Sequence, residues 1–275
     1  MNTIYSRQNT DIALGCQTSA RYYYDKADLL DNFYWLGILT TIIFKMIWTN
    51  SIWVDYSLIL WFLTTLFLDS YISQYTSKAA EFKQVFDEYV FGWKKEISQN
   101  TIKPVQILKS KNKTMFKTQM NHTGNDKPRG VKDWYEFVDD KENQQTALKK
   151  AIGENVYYDT SINTILLSIL MISVLLTFVY FRDTTLTEYL KTVFLVMSSL
   201  SKKVITTVLK TLQVNKLNKE INLRLNLAKN EDDFREIQNI VFIKRQISGV
   251  TPSWIYFIKK NKITELAKIT FSNTD

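Results

Sequence analysis

The sequence predicts an all-α membrane protein: four transmembrane helices in two hairpins, joined to a helical cytoplasmic bundle. Three observations predict it. The run from Ile162 to Phe181 is twenty residues without a charge, and at about 1.5 Å per residue a helix of that length covers the ~30 Å hydrocarbon core of a bilayer. Two further apolar runs, Phe33 to Trp48 and Tyr56 to Leu68, lie close together earlier in the chain. The 275 residues include only 7 glycines and 3 prolines, so the polar remainder should also be helix. A mean hydropathy of −0.16 and 23% charged residues make the membrane part a minority, which speaks against a polytopic transporter.

Residues 1–31 read as an N-terminal cytoplasmic segment, opening without the apolar stretch of a secretory signal. Residues 32–72 form the first transmembrane hairpin. Its first run is apolar apart from Thr40, Thr41 and Lys45, and its link reads TNSIWVD. Phe33, Tyr34, Trp35, Trp48, Trp53 and Tyr56 gather at its ends, where amphipathic rings suit the membrane–water interface. Lys45 lies near the outer end of the first span. It either snorkels to the surface, pairs with Asp55 or faces a pore. Asp69 closes the second span as an interfacial residue.

Residues 73–160 form a cytoplasmic helical region with a polar insert. Ala79, Phe82, Val85, Phe86, Tyr89, Val90 and Trp93 recur at helical spacing and continue the second span as a stalk. Thr101 to Arg129, rich in Lys, Asn and Thr, shows no periodicity and reads as a loop or mobile insert. A helix over about Asp140 to Asp159 leads into the next span.

Residues 161–209 form the second hairpin: the uncharged run, the link RDTT, and a weaker segment from Leu186 to about Leu209. In that fourth span, Leu186, Leu190, Val193, Met197, Leu200, Val204 and Val208 make one apolar stripe. The other face holds Thr184, Glu188, Lys191, Thr192, Ser199, Lys202, Lys203 and Thr206. Charges at depth are costly against lipid, so this face should meet protein, water or headgroups. Such a helix packs into the bundle, lies at the interface, or lines a pore in an oligomer, with Glu188, Lys191, Thr192 and Ser199 as the lining residues. Residues 210–275 form a C-terminal cytoplasmic region. Antiparallel helices are expected over Leu212 to Lys229 and Asp232 to Ile247, and Pro252 should end helical structure.

Of the 35 Lys and Arg residues, 32 lie before Asp31, between Ser73 and Thr160, or after Ser201. That bias places both termini and the middle region in the cytoplasm. The net charge of +8 suits a lipid bilayer with anionic headgroups. A phosphate-bearing ligand is the alternative, and no DNA or RNA partner is expected.

Little chemistry is visible. The single histidine, His122, has no metal-ligand companions, and the single cysteine, Cys16, has no catalytic histidine near it in sequence. No phosphate-binding or nucleophile-elbow motif occurs. The expectation is a non-enzyme with no catalytic residues, no metal and no cofactor.

Five local strings occur in a telling order. They are Gln8–Asn9 with ARYYYDKA (Ala20 to Ala27); VKDWY (Val131 to Tyr135), with Asp133, Trp134 and Tyr135; Asn155 with Tyr158 and Asp159; Arg235, Gln238 and Arg245; and Pro252, Trp254 and Tyr256. Together with the hairpin–insert–hairpin order, they resemble the SMODS-associated four-transmembrane family, regarded as pore-forming effectors of bacterial anti-phage systems. The resemblance covers nearly the whole chain. Departures are AIG before Asn155 and Thr251 and Ser253 beside the proline, which puts a shared trigger in question at those positions. The motif aromatics either lock helices together or sit at headgroup level, or else recognise a ligand or partner.

The resemblance implies an inner-membrane, multi-pass effector. A cyclic oligonucleotide from a neighbouring nucleotidyltransferase would trigger it, and a homo-oligomer would act by opening the membrane. The alternative is a membrane-anchored adaptor whose cytoplasmic bundle binds a signalling partner. A small transporter component is disfavoured, since no Gly- or Pro-broken span marks a substrate site.

Overall fold

The computed structural model describes residues 2–48, 51–154 and 198–247, with single positions at 156, 168, 172 and 185. The described residues are overwhelmingly helical, and among them no strand forms beyond an isolated bridge between Thr123 and Lys132. The run Ile162 to Phe181, apart from positions 168 and 172, lies outside the described residues. So do Glu188, Lys191, Thr192, Asn155, Tyr158, Asp159, Pro252, Trp254 and Tyr256.

A short helix, α1 (Thr3–Arg7), is capped by the Asn2 side chain, which accepts from the Tyr5 amide at 2.9 Å. Two long helices follow, α2 (Asp11–Ile47) and α3 (Ile52–Val90), packed against each other as a hairpin. Both are long and apolar enough to cross a membrane. At about 1.5 Å per residue each measures roughly 56–58 Å, almost twice the hydrocarbon thickness. Each is thus long enough to cross with one half while the other half packs into the helical bundle. The spanning halves leave Leu36, Leu39, Ile43, Met46, Leu60, Leu63 and Phe67 exposed, as lipid contact requires. Gly37 lets the two helices close up: a Cβ there would lie 1.8 Å from Trp61 Cζ2. Near the link, Lys45 Nζ meets Asp55 Oδ1 at 2.6 Å, so the pairing is the arrangement found for Lys45.

The expected stalk is present, since α3 runs unbroken to Val90. It stops where Gly92 takes φ +85, a left-handed conformation that glycine adopts freely. A Cβ there would also meet Thr3 Oγ1 at 2.9 Å.

The segment Thr101 to Arg129 departs from its loop assignment. Much of it is helix: α4 (Gln99–Lys111) and α5 (Lys113–Asn121). Each is anchored by one fully or nearly fully buried side chain, Val105 and Phe116. Tertiary burial of a few side chains outweighs a weak local pattern on short polar helices.

Helix α6 covers 144–154. It starts later than expected because Asn143 caps it, accepting from the Thr146 amide at 2.8 Å. Helix α7 (Ser198–Leu227) joins the end of the fourth-span segment to the first C-terminal helix in one rod. After a three-residue turn comes α8 (Glu231–Ile247). Its start is a reciprocal cap: Asn230 Oδ1 accepts from the Asp233 amide at 2.9 Å, and Asp233 Oδ2 accepts from Lys229 and Asn230. A single core fills the bundle, with Ile4, Phe86, Phe116, Tyr135, Ile152, Ile221, Phe234 and Val241 at its centre.

Candidate functional site

The buried face of α3 carries two charges among its apolar residues, Lys83 and Asp87, four apart between Ala80 and Val90. Asp87 is fully buried. Its carboxylate accepts hydrogen bonds from Tyr135 Oη at 2.5 Å, from Gln238 Nε2 at 2.8 Å and from Arg245 Nη1. Lys83 Nζ stands 3.7 Å from the same carboxylate. It also lies 4.0 Å from the Trp134 ring centroid and 4.4 Å from that of Phe86, within cation–π range. The Tyr135 amide donates to Gln8 Oε1 at 2.9 Å. Asn9 and Asp133 exchange two hydrogen bonds, of 2.9 and 2.6 Å. Asp133 sits at φ 50, a left-handed position that aspartate tolerates better than most residues.

Electrostatics set the protonation of this cluster. Burial works to raise the Asp87 pKa, but Arg245, Lys83 and the Tyr135 hydrogen bond outweigh it and leave it lowered. Burial, with Arg245 opposing a second cation, drives Lys83 well below its usual range. Glu154, under burial and the nearby Glu136, is pushed up to about 8. Lys83 Nζ, Arg245 Nη2, Gln238 Oε1 and Glu154 Oε2 are buried without hydrogen-bond partners among the described residues. Each such atom costs about 1–3 kcal/mol.

A second polar locus lies at the foot of the membrane hairpin. On α7, Ser199, Lys203, Thr207 and Thr211 recur every four residues, and all are buried. Lys203 pairs with Asp31 of α2 and stands 4.6 Å from the Tyr34 ring centroid. Lys202 meets Asp69 Oδ2 of α3 at 2.6 Å and donates to Thr65 Oγ1 at 3.3 Å. Asp69 is therefore a partner of α7. The exposed side of α7 carries Ile205, Leu209 and Leu212, so the helix turns its polar face inward. A cavity of about 240 Å³ opens beside this seam, reached by α2, α3, α7 and Gln246 and Ile247 of α8.

The family model of the SMODS-associating 4TM effector domain matches residues 2–270. The chain belongs to this family. No curated protein and no solved structure matches it.

In this 4TM effector, the residues singled out from sequence divide clearly. Trp134, Tyr135, Gln238 and Arg245 converge on one buried cluster, and exposed Asp133 fastens its edge through Asn9, as Gln8 does through the Tyr135 amide. Arg235 lies outside it, exposed, paired with Glu231 at 2.7 Å and 5.3 Å from the Trp93 ring centroid. Ser199 is the described member of the pore-lining set, and it is buried in the seam.

Lys83 and Asp87, the centre of the cluster, were not singled out. Their signal was two opposite charges four apart on the apolar face of the stalk. Cys16 is buried, and burial pushes its thiol to about 12, so it stays protonated at neutral pH. Among the described residues no group of acidic, His and Cys side chains could hold a metal. What the effector offers instead is linkage. Helix α8 docks on α3 through Asp87 at one point and reaches the seam with its last residues, so the two polar loci share both helices.

Proposed function

We propose that this effector opens the inner membrane when a cyclic oligonucleotide, made by a neighbouring nucleotidyltransferase during phage infection, activates it. The observation that supports the reading most directly is the polar seam at the foot of the hairpin. A helix that serves only as an anchor gains nothing from Ser199, Lys202, Lys203, Thr207 and Thr211 on one side, because buried ion pairs contribute little net stability. A helix that must turn a polar face toward an aqueous lumen needs such a face. In the resting chain Asp31 and Asp69 occupy it. In the active chain α7 turns away from them, and several copies set their polar faces around a common axis. Glu188, Lys191 and Thr192 extend that face along the fourth span. Both termini and the basic bundle lie in the cytoplasm, in keeping with the distribution of Lys and Arg.

The test is to express the protein together with its nucleotidyltransferase in cells loaded with a membrane-potential dye. Depolarisation that needs both genes is the expected result. A membrane that stays polarised while the effector binds its activating partner would sink the pore and favour a tethered adaptor.

A further inference from the structure

We propose that the cavity beside the seam binds a zwitterionic phospholipid headgroup, a phosphodiester bearing a primary ammonium, from the leaflet nearest the basic bundle. Its height fits. Asp31 lies two residues before the first apolar run and Asp69 immediately follows the second, so the cavity lies level with headgroups. Its size of about 240 Å³ admits one polar group.

Two side chains that line it lack partners. Thr207 is 1% exposed, yet its Oγ1 has no hydrogen bond among the described residues, which is uncommon for a buried hydroxyl. Lys210 makes neither an ion pair nor a hydrogen bond among the described residues, and burial and the neighbouring Lys203 lower its pKa. A phosphodiester oxygen placed between them would accept from both, and a charge-assisted bond to Lys210 would offset the cost of its burial.

The acidic wall explains why the ligand needs a cation too. Asp31 is occupied by Lys203, but Asp69 meets Lys202 through Oδ2 only. Its Oδ1 is the other carboxylate oxygen, on a side chain 34% exposed that lines the cavity. A simple anion bound to Lys210 would face that oxygen as a like charge. An ammonium on the same headgroup would hydrogen-bond to it. This inference stands whether or not the effector forms a pore.

Native mass spectrometry of the full-length protein in detergent tests it, with equal amounts of phosphatidylethanolamine, phosphatidylglycerol, phosphatidylcholine and diacylglycerol. Phosphatidylethanolamine should be retained about tenfold over phosphatidylcholine and diacylglycerol. Lys210→Met should lower that retention about tenfold while Lys210→Arg keeps it. Asp69→Asn should abolish the preference over phosphatidylglycerol. Equal retention of all four lipids, no change in Lys210→Met, or an equal loss in Lys210→Arg would each overturn the site. Displacement of the lipid by millimolar phosphoethanolamine would overturn the lipid as the source while keeping the headgroup chemistry.

Discussion

Breaking the Asp87–Arg245 pair should cost more than breaking any exposed pair, and the two partners should not cost the same. Asp87 is fully buried and the Arg245 side chain is 8% exposed, so neither survivor can recover its solvation. Arg245→Met leaves Asp87 with Tyr135, Gln238 and a lysine 3.7 Å away. A loss of about 3 kcal/mol follows, at the low end for an orphaned buried charge. Asp87→Leu strips the acceptor from three donors and leaves the buried Arg245 cation without a counter-charge, so about 5 kcal/mol is expected.

The double variant removes both charged ends and leaves Tyr135, Gln238 and Lys83 as the polar groups of the patch. It should recover part of the loss, since buried pairs exchanged for packed apolar residues are often close to neutral. For a chain of this size, about 2–4 °C per kcal/mol converts these into apparent melting shifts of roughly 6–20 °C. Tryptophan fluorescence in detergent micelles reads them, with circular dichroism to check that helix content is kept. Single variants that melt within about 2 °C of the wild type, or a double variant that loses the sum of both, would refute this account of the cluster.

Three further outcomes are expected. Tyr135→Phe removes the 2.5 Å bond to Asp87 and should lower stability by about 1.5–3 kcal/mol, measured by the same melts. Folded Glu154 holds its proton up to about pH 8, whereas its usual value is 4.5. The folded state then binds more protons between those values, and stability falls as pH rises through that window. Glu154→Gln should flatten this slope by roughly 1–3 kcal/mol in melts from pH 5 to 8. At the seam, Lys203→Met or Asp31→Asn alone should loosen α7 and depolarise cells without an activator, and the pair changed together should depolarise them less. Dye signals equal to wild type in both single variants would show that the seam is no latch.

Much of this was legible in sequence because α2 and α3 follow long apolar runs, while α7 and α8 follow the apolar periodicity of amphipathic helices. The helices of the polar insert were not legible. Their contribution to the core is chiefly Val105 and Phe116, and two apolar positions among lysines and asparagines give no periodicity. The cluster was half legible. Asp133, Trp134, Tyr135, Gln238 and Arg245 stood out through family resemblance, since distant segments reveal no shared contact by spacing. Asp87, which Tyr135, Gln238 and Arg245 share, hid inside a stalk whose aromatic residues explained its helix without it. The inward turn of α7 was one of three arrangements left open by the sequence. Ile205, Leu209 and Leu212 form a second apolar stripe, and only the acidic residues on α2 and α3 decide which side faces in.

Helix α3 contains neither glycine nor proline along its 39 residues, so it has no built-in hinge. It behaves as a drive shaft. Asp87 lies 18 residues beyond Asp69, roughly 27 Å along the axis at about 1.5 Å per residue. A torque applied at Arg245 and Tyr135 would therefore emerge at the membrane surface as rotation of Asp69 and Thr65 beneath Lys202, with little lost to bending on the way.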